Sequence, residues 1–168
     1  MVASLTHARL RELLDYDPET GRFTWRVNGC GRFMRAGASA GSIKKRGHRQ
    51  ICIDQVIYMA GPLAVFWMTH RWPKRLVDHS NAIADDDRWT NIREADHSQN
   101  GANSRTWKNK KYSQFKGVTF DKSHSRFQAT IKINYRSIYL GRFDTAEEAH
   151  AAYIKAARQY FGEFAREG

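Results

Sequence analysis

The stretch Arg126-Phe127-Gln128-Ala129-Thr130-Ile131-Lys132-Ile133-Asn134 decides how the C-terminal third folds. Phe127, Ala129, Ile131 and Ile133 alternate with polar residues. A period of two sends the two sets to opposite faces, which predicts a half-buried strand. Val118 and Phe120 fit a strand before it, and Ile138 and Leu140 fit one after it. Thr145-Ala146-Glu147-Glu148 then has the form of a capping box, with Thr145 as N-cap and Glu148 three residues on. Ala149, Tyr153, Ala156 and Tyr160 follow at helical spacing, and Gly162 suits the helix end. Three strands and one helix predict a sheet covered on one face only. Its open face carries Arg126, Gln128, Thr130 and Lys132.

Upstream of this unit, Gly101 to Tyr112 is basic, with Arg105, Lys108, Lys110 and Lys111, and reads as a linker. Before the linker, Val77 to Asn100 is polar and rich in potential ligands. Leu5, Leu10, Leu13 and Leu14 predict a short helix over Leu5–Tyr16. A turn over Asp17–Gly21 and an alternating strand over Arg22–Val27 follow. Gly29 to Gly41 reads as a loop, and Gln50–Tyr58 as a strand preceded by a hairpin turn near Arg46-Gly47. Leu63–His70 reads as a helix ended before Pro73. The expected fold class is α+β.

The 168 residues hold 28 Lys and Arg against 17 Asp and Glu, a formal net charge of +11. Such a surplus points to a polyanionic partner, because neutralising phosphates releases counterions. Aromatic residues make up 12% and hydrophobic residues 41%, enough for a core. Cys30 and Cys52 form no Cys-x-x-Cys pair, which argues against a cysteine zinc site. One disulfide between them is an alternative to the simpler reduced, intracellular chain. No signal peptide is visible in Met1–Leu10, and the apolar run Leu63–Met68 is too short to span a bilayer. A soluble, cytoplasmic protein without a membrane partner is expected.

One group of residues carries chemistry. Asp78 and His79 are adjacent, Asn91 lies 12 residues after His79 (91 − 79), and Asn100 lies 21 after it (100 − 79). Phosphodiester hydrolysis needs a base for water, a cation to steady charge, and something to hold the base. A histidine suits the first, and a carboxylate with an amide oxygen suits Mg²⁺ or Mn²⁺. By residue type alone, an Asp-His pair is more often a cap or a surface hydrogen bond.

Val77-Asp78-His79-Ser80-Asn81, Asp86-Asp87-Arg88-Trp89-Thr90-Asn91-Ile92-Arg93-Glu94-Ala95 and His97-Ser98-Gln99-Asn100 together resemble the core of phage and bacterial HNH homing endonucleases. Leu14 to Trp25 resembles their N-terminal region. The resemblance implies a ββα-metal nuclease domain over residues 1–100. His79 would be the general base and Asn91 would orient it. Asp78 and Asn100 would hold one divalent cation, Mg²⁺ with Mn²⁺ as the alternative. His97 ranks below Asn100 as a further site residue. Three positions depart from the family pattern. Asp87 stands where Asn is usual, Ala82 where Gly is usual, and Gly61-Pro62 where His-Arg is usual.

Phe115-Lys116-Gly117-Val118, Arg126 to Lys132, Tyr139 to Ala149 and Ala152-Tyr153 resemble the plant ethylene-response-factor (APETALA-type) DNA-binding domain. The resemblance implies that residues 112–168, beyond a linker at 101–111, place a three-stranded antiparallel sheet, packed on one helix, in the major groove. The family's contact positions fall on Lys116, Gly117, Thr119, Asp121, Thr130, Lys132, Ser137 and Tyr139. Arg126, Gln128 and Arg136 join them as candidate DNA contacts. Several family arginines are absent, at Thr119, Asp121 and Ser137, so the docking mode carries over and the plant target sequence does not. The expectation is a metal-dependent endonuclease that nicks one strand of double-stranded DNA in a bacterial or phage-infected cell. It would act as a monomer on DNA with no obligate protein partner. The alternative is a DNA-binding protein or regulator with a degenerate nuclease core. A structural RNA-binding protein is a third reading, favoured by charge only; the sheet lacks an exposed aromatic pair for stacking single-stranded bases.

Overall fold

The computed structural model describes residues 5–29, 34–105 and 115–166. Cys30 and linker residues 106–111 lie outside the described residues. The chain divides into two compact units, Met1–Glu94 and Ala95–Gly168. The fold is mixed α and β, with four small sheets among the described residues.

In the first unit, Thr6 caps helix α1 (His7–Leu13) by accepting from Arg9 N at 3.1 Å. The helix ends three residues before the expected Tyr16, because Leu14 and Tyr16 alternate with exposed neighbours in strand β1 (Leu14–Asp17). Paired with β2 (Arg22–Trp25), they stand opposite Trp25 and Phe23, and all four are buried. The expected turn joins the two strands. Asp17 Oδ1 accepts from Glu19 N at 2.9 Å, and Gly21 adopts φ +70°. Next come β3 (Ser42–Ile43), β4 (Arg49–Ile53) and β5 (Val56–Met59), an antiparallel three-stranded sheet. The single strand expected over Gln50–Tyr58 is thus a hairpin, turning at Asp54-Gln55 with φ +47° and +67°. Positive φ at both turn residues is the geometry that matches the twist of paired strands. Arg9 Nε and one terminal guanidinium nitrogen each donate to Asp54 at 3.0 Å and tie the turn to α1.

Helix α2 (Ala60–Thr69) starts earlier than its apolar run suggests. Pro62 falls in the first turn, where no backbone donor is needed. Seven of its residues are buried, so α2 is a core helix. Around it pack Leu10, Leu14, Phe23, Ile51 and Ile53. Strands β6 (Leu76–His79) and β7 (Ile92–Ala95) form a separate two-stranded sheet.

In the second unit, helix α3 (His97–Asn103) is capped by Asp96, which accepts from Ser98 N and Gln99 N at 2.8 Å each. The expected boundary at residue 100 falls inside this helix. Strands β8 (Val118–Asp121), β9 (Arg126–Ile133) and β10 (Arg136–Phe143) form the expected antiparallel sheet, with β9 central. Helix α4 (Ala146–Phe161) begins at the expected capping box. Glu148 N donates to Thr145 Oγ1 at 3.2 Å. Ala149, Tyr153 and Ala156 are buried as expected, but Tyr160 is exposed and Phe161 takes the inward position. A short 3-10 turn over Gly162–Phe164 follows α4.

Candidate functional sites

β6 delivers Asp78 and His79 into the interior of the first unit, where they are 5% and 7% exposed. A loop with a single 3-10 turn (Trp89–Asn91) returns the chain to β7. Asn91 organises this loop. Its Oδ1 accepts from Ser80 Oγ at 2.8 Å and Asn81 N at 3.1 Å. Its Nδ2 donates to Asp86 O at 2.7 Å and Asn81 Oδ1 at 3.1 Å. Its carbonyl accepts from Ser80 N at 2.8 Å. These bonds fix the residues that follow His79. The His79 ring itself is hydrogen-bonded to Asp87, whose Oδ1 lies 2.8 Å from Nε2. Ala82 takes φ +55° at the turn, the conformation for which glycine is the usual choice.

Asp87 is held through its backbone by the N-terminal hairpin. Tyr16 Oη donates to Asp87 O at 2.7 Å. Burial pushes the Tyr16 hydroxyl far above its ordinary value, with Asp87 and Asp17 adding to the effect, so it stays a donor. Trp89 N donates to Pro18 O at 3.0 Å. A Cβ on Gly21 would sit 2.3 Å from Arg88 N, so only glycine lets the turn lie this close.

Beside Asp87, Asp86 accepts from the Arg88 guanidinium at 2.7 and 2.6 Å and from Asn81 Nδ2 at 2.6 Å. The Arg88 hydrogen bonds hold its carboxyl down to about 2, against an ordinary 3.8. A depressed carboxyl stabilises the fold fully above its unfolded value, and the gain disappears as pH falls through the folded value. The melting difference between the parent and Asp86→Asn should therefore be full at neutral pH and close between pH 3.8 and about 2. A difference that stays constant to pH 2 in thermal melts would remove the ion pair from this account.

Asp78 and Asn100 bring hard oxygen donors of the kind that suits Mg²⁺, which keeps several waters and takes few protein ligands. Asp78 Oδ2 accepts from Arg93 Nε at 3.1 Å, so a cation there shares the carboxylate with a guanidinium. Asn100 lies on α3 in the second unit, as does His97. Among the described residues, no three His, Cys, Asp or Glu side chains cluster as a metal site. The Asp78 carboxylate has the donor chemistry to hold a cation together with water and phosphate.

The second candidate site is the open face of the β8–β9–β10 sheet. Directly paired residues share a face. The register pairs Thr119 with Gln128, Asp121 with Arg126, Thr130 with Tyr139, Lys132 with Ser137 and Gln128 with Arg142. All of these lie opposite Ala129 and Ile131, which are buried under α4. Eight expected contact positions, Thr119, Asp121, Arg126, Gln128, Thr130, Lys132, Ser137 and Tyr139, thus share one face.

Two expected contacts stand elsewhere. Arg136 pairs with Ile133, so it belongs to the face that packs on α4. The Lys116 ammonium donates to the carbonyls of Gly101 at 2.9 Å, Ser104 at 2.8 Å and Ala102. It thereby closes the C-terminal end of α3. Part of the face's charge is internally balanced. Arg142 Nε meets Asp121 Oδ2 at 3.1 Å, and Arg126 Nε meets Asp144 Oδ1 at 2.9 Å. Ser123 in the first place, with His124 also contributing, keeps the Asp121 carboxyl below its ordinary range. Among the described residues Lys132 has no carboxylate partner; its ammonium sits 5.9 Å from the Tyr135 ring centroid.

Residues 113–163 match the AP2 domain family. The matched stretch spans the whole β8–β9–β10 sheet and α4. No curated protein and no solved structure matches the chain. The match supports a DNA-binding protein. Among the described residues, no helix is long and apolar enough to cross a membrane.

Proposed function

We propose that this chain binds double-stranded DNA through the open face of its β8–β9–β10 sheet. The observation that carries the reading is the AP2 match over a sheet whose uncovered face presents Thr119, Gln128, Thr130, Lys132 and Tyr139 together. Polar side chains on a sheet face can meet base edges in the major groove, while the basic surplus draws in the phosphates. The test is selection of bound sequences from a random duplex pool with the full chain, then affinity on the winner. Lys132→Ala should weaken binding to the selected site by about 1–3 kcal/mol if it contacts a base. Arg136→Ala should leave affinity unchanged, because Arg136 lies on the other face. A pool that yields no preferred sequence, with one salt-dependent affinity for every duplex, would reject the reading.

The hairpin geometry of the first unit favours a second activity on the same DNA, HNH-type endonuclease cleavage. Supporting it are a buried Asp78-His79 pair and an Asn91 that braces the loop following His79. In this reading His79 is the base, and Asp78 and Asn100 are the residues that would bind a divalent cation. That cation would supply charge stabilisation at the phosphate. One such hairpin among the described residues fits a nick in one strand. A chain that binds its site and never nicks would instead be a DNA-binding regulator.

A further inference from the structure

We infer that Asp87 is a positioning residue for His79, a buried carboxylate that fixes which imidazole nitrogen carries the proton; its catalytic consequence rests on the nuclease reading of His79. The pair is almost wholly out of solvent, with Asp87 2% and His79 7% exposed. Asp87 Oδ1 lies 2.8 Å from His79 Nε2, while its Oδ2 is buried without a hydrogen-bond partner among the described residues. A buried carboxylate with one bare oxygen is costly. Here its location is dictated by the N-terminal hairpin, which clamps its backbone through Tyr16, Pro18 and Gly21.

Two departures from the HNH pattern meet at this point. A Cβ on Gly61 would lie 3.2 Å from Asp87 Oδ1 and 3.8 Å from His79 Cε1. A side chain at position 61 would therefore grow toward the pair. In its place is a cavity of about 190 Å³, lined in part by His48, Arg49, Gly61, Pro62, His79 and Asp87. Position 61 carries no side chain, and position 87 carries a carboxylate where the HNH resemblance makes an amide usual. An amide presents both a donor and an acceptor and can turn either one to the ring. An ionised carboxylate only accepts. Nε2 must then donate, and the neutral ring keeps its lone pair on Nδ1.

That assignment sets the direction of proton flow. Nδ1 takes a proton from water as the water oxygen bonds to phosphorus and the bond from phosphorus to the leaving oxygen breaks. The leaving oxygen takes its proton from solvent, and the imidazolium later returns its own to solvent. Throughout, Nε2–H stays on Asp87, whose negative charge faces the positive ring.

Imidazole ¹⁵N NMR of the full chain, above the imidazole titration range, reads the tautomer directly. The His79 signal is identified by its loss in His79→Ala. The parent is expected to show a single Nε2–H tautomer, and the near-isosteric Asp87→Asn a mixture. Nicking by Asp87→Asn should lose roughly 10–100-fold in kcat, the size typical of groups that orient a functional side chain, with KM for DNA held. An Nδ1–H tautomer in the parent would mean that Asp87 is protonated and donates, and would overturn the inference without any variant. An unchanged tautomer in a folded Asp87→Asn would overturn it as well, as would an unchanged kcat. If the parent shows the Nε2–H tautomer and Asp87→Asn loses it, but neither protein nicks DNA, the positioning stands and the nuclease reading falls.

Discussion

The His79→Ala variant is expected to lose nicking of supercoiled plasmid by roughly 10²–10⁴-fold, the usual worth of a general base, while its affinity for DNA stays at the parent value. His79 is buried on β6 and bonded to Asp87, so it has little surface to offer a phosphate. The sheet face proposed to hold DNA lies in the other unit of the chain. The effect should therefore fall on chemistry and leave binding alone. The assay follows open circles formed with Mg²⁺ and with chelator, beside a gel-shift titration of each protein. Full-rate nicking by the variant would remove His79 from the mechanism. A parent that forms no open circles with Mg²⁺ would remove the nuclease and leave the DNA-binding proposal intact.

A loss of stability, and binding with it, is expected from Gly117→Val. Gly117 has φ +71°, and a Cβ there would lie 2.1 Å from Tyr153 Cδ2 and 2.7 Å from Thr130 O. Tyr153 is buried under the sheet, and Thr130 N donates to Gly117 O at 2.9 Å, so an added side chain must displace one or the other. Overpacking costs about 1–3 kcal/mol, and a left-handed backbone at a residue with a side chain costs about 1–2 kcal/mol more. A small domain is stable by only about 5–15 kcal/mol, so the unit should melt earlier and lose its selected DNA site. Hydrogen exchange should rise across β8 to α4 and stay at the parent level in α2 and β4. A variant with parent affinity and parent exchange would contradict the packing described for Gly117.

What the sequence made legible follows from how local its signals are. The alternation of Phe127, Ala129, Ile131 and Ile133 and the Thr145/Glu148 box depend on near neighbours, and both appear where expected. The Asp54-Gln55 turn was hidden because neither residue is glycine or asparagine and the strand signals run on through it. Arg9, 45 residues away, is what holds it. Leu14 satisfies a helical spacing as well as a strand alternation, and the buried pairs with β2 decide for the strand.

The candidate sites divide in the same way. Asp78, His79 and Asn91 were marked by residue type and order, and the structure finds all three buried in one small hairpin. Asp87 was marked only as a departure. Its bond to His79 depends on the hairpin that clamps its backbone, a long-range arrangement with no local pattern. Lys116 is expected as a DNA contact from the family resemblance, and Arg136 as a candidate beside it. Their roles depend on α3 and on strand register, neither of which charge can reveal.

Helix α3 carries a lesson for anyone wishing to move the DNA reader into another protein. The family match begins at residue 113, yet Ala95 and Ala102 belong to the same apolar cluster as Tyr153 and Phe161, and Lys116 closes the helix that Ala102 sits on. A graft cut at 113 would expose that cluster and strand the Lys116 ammonium. A graft cut before Ala95 would be self-contained, and it would carry Asn100 away with it. Swapping readers between such chains would therefore also swap Asn100, one of the two residues proposed to bind a cation.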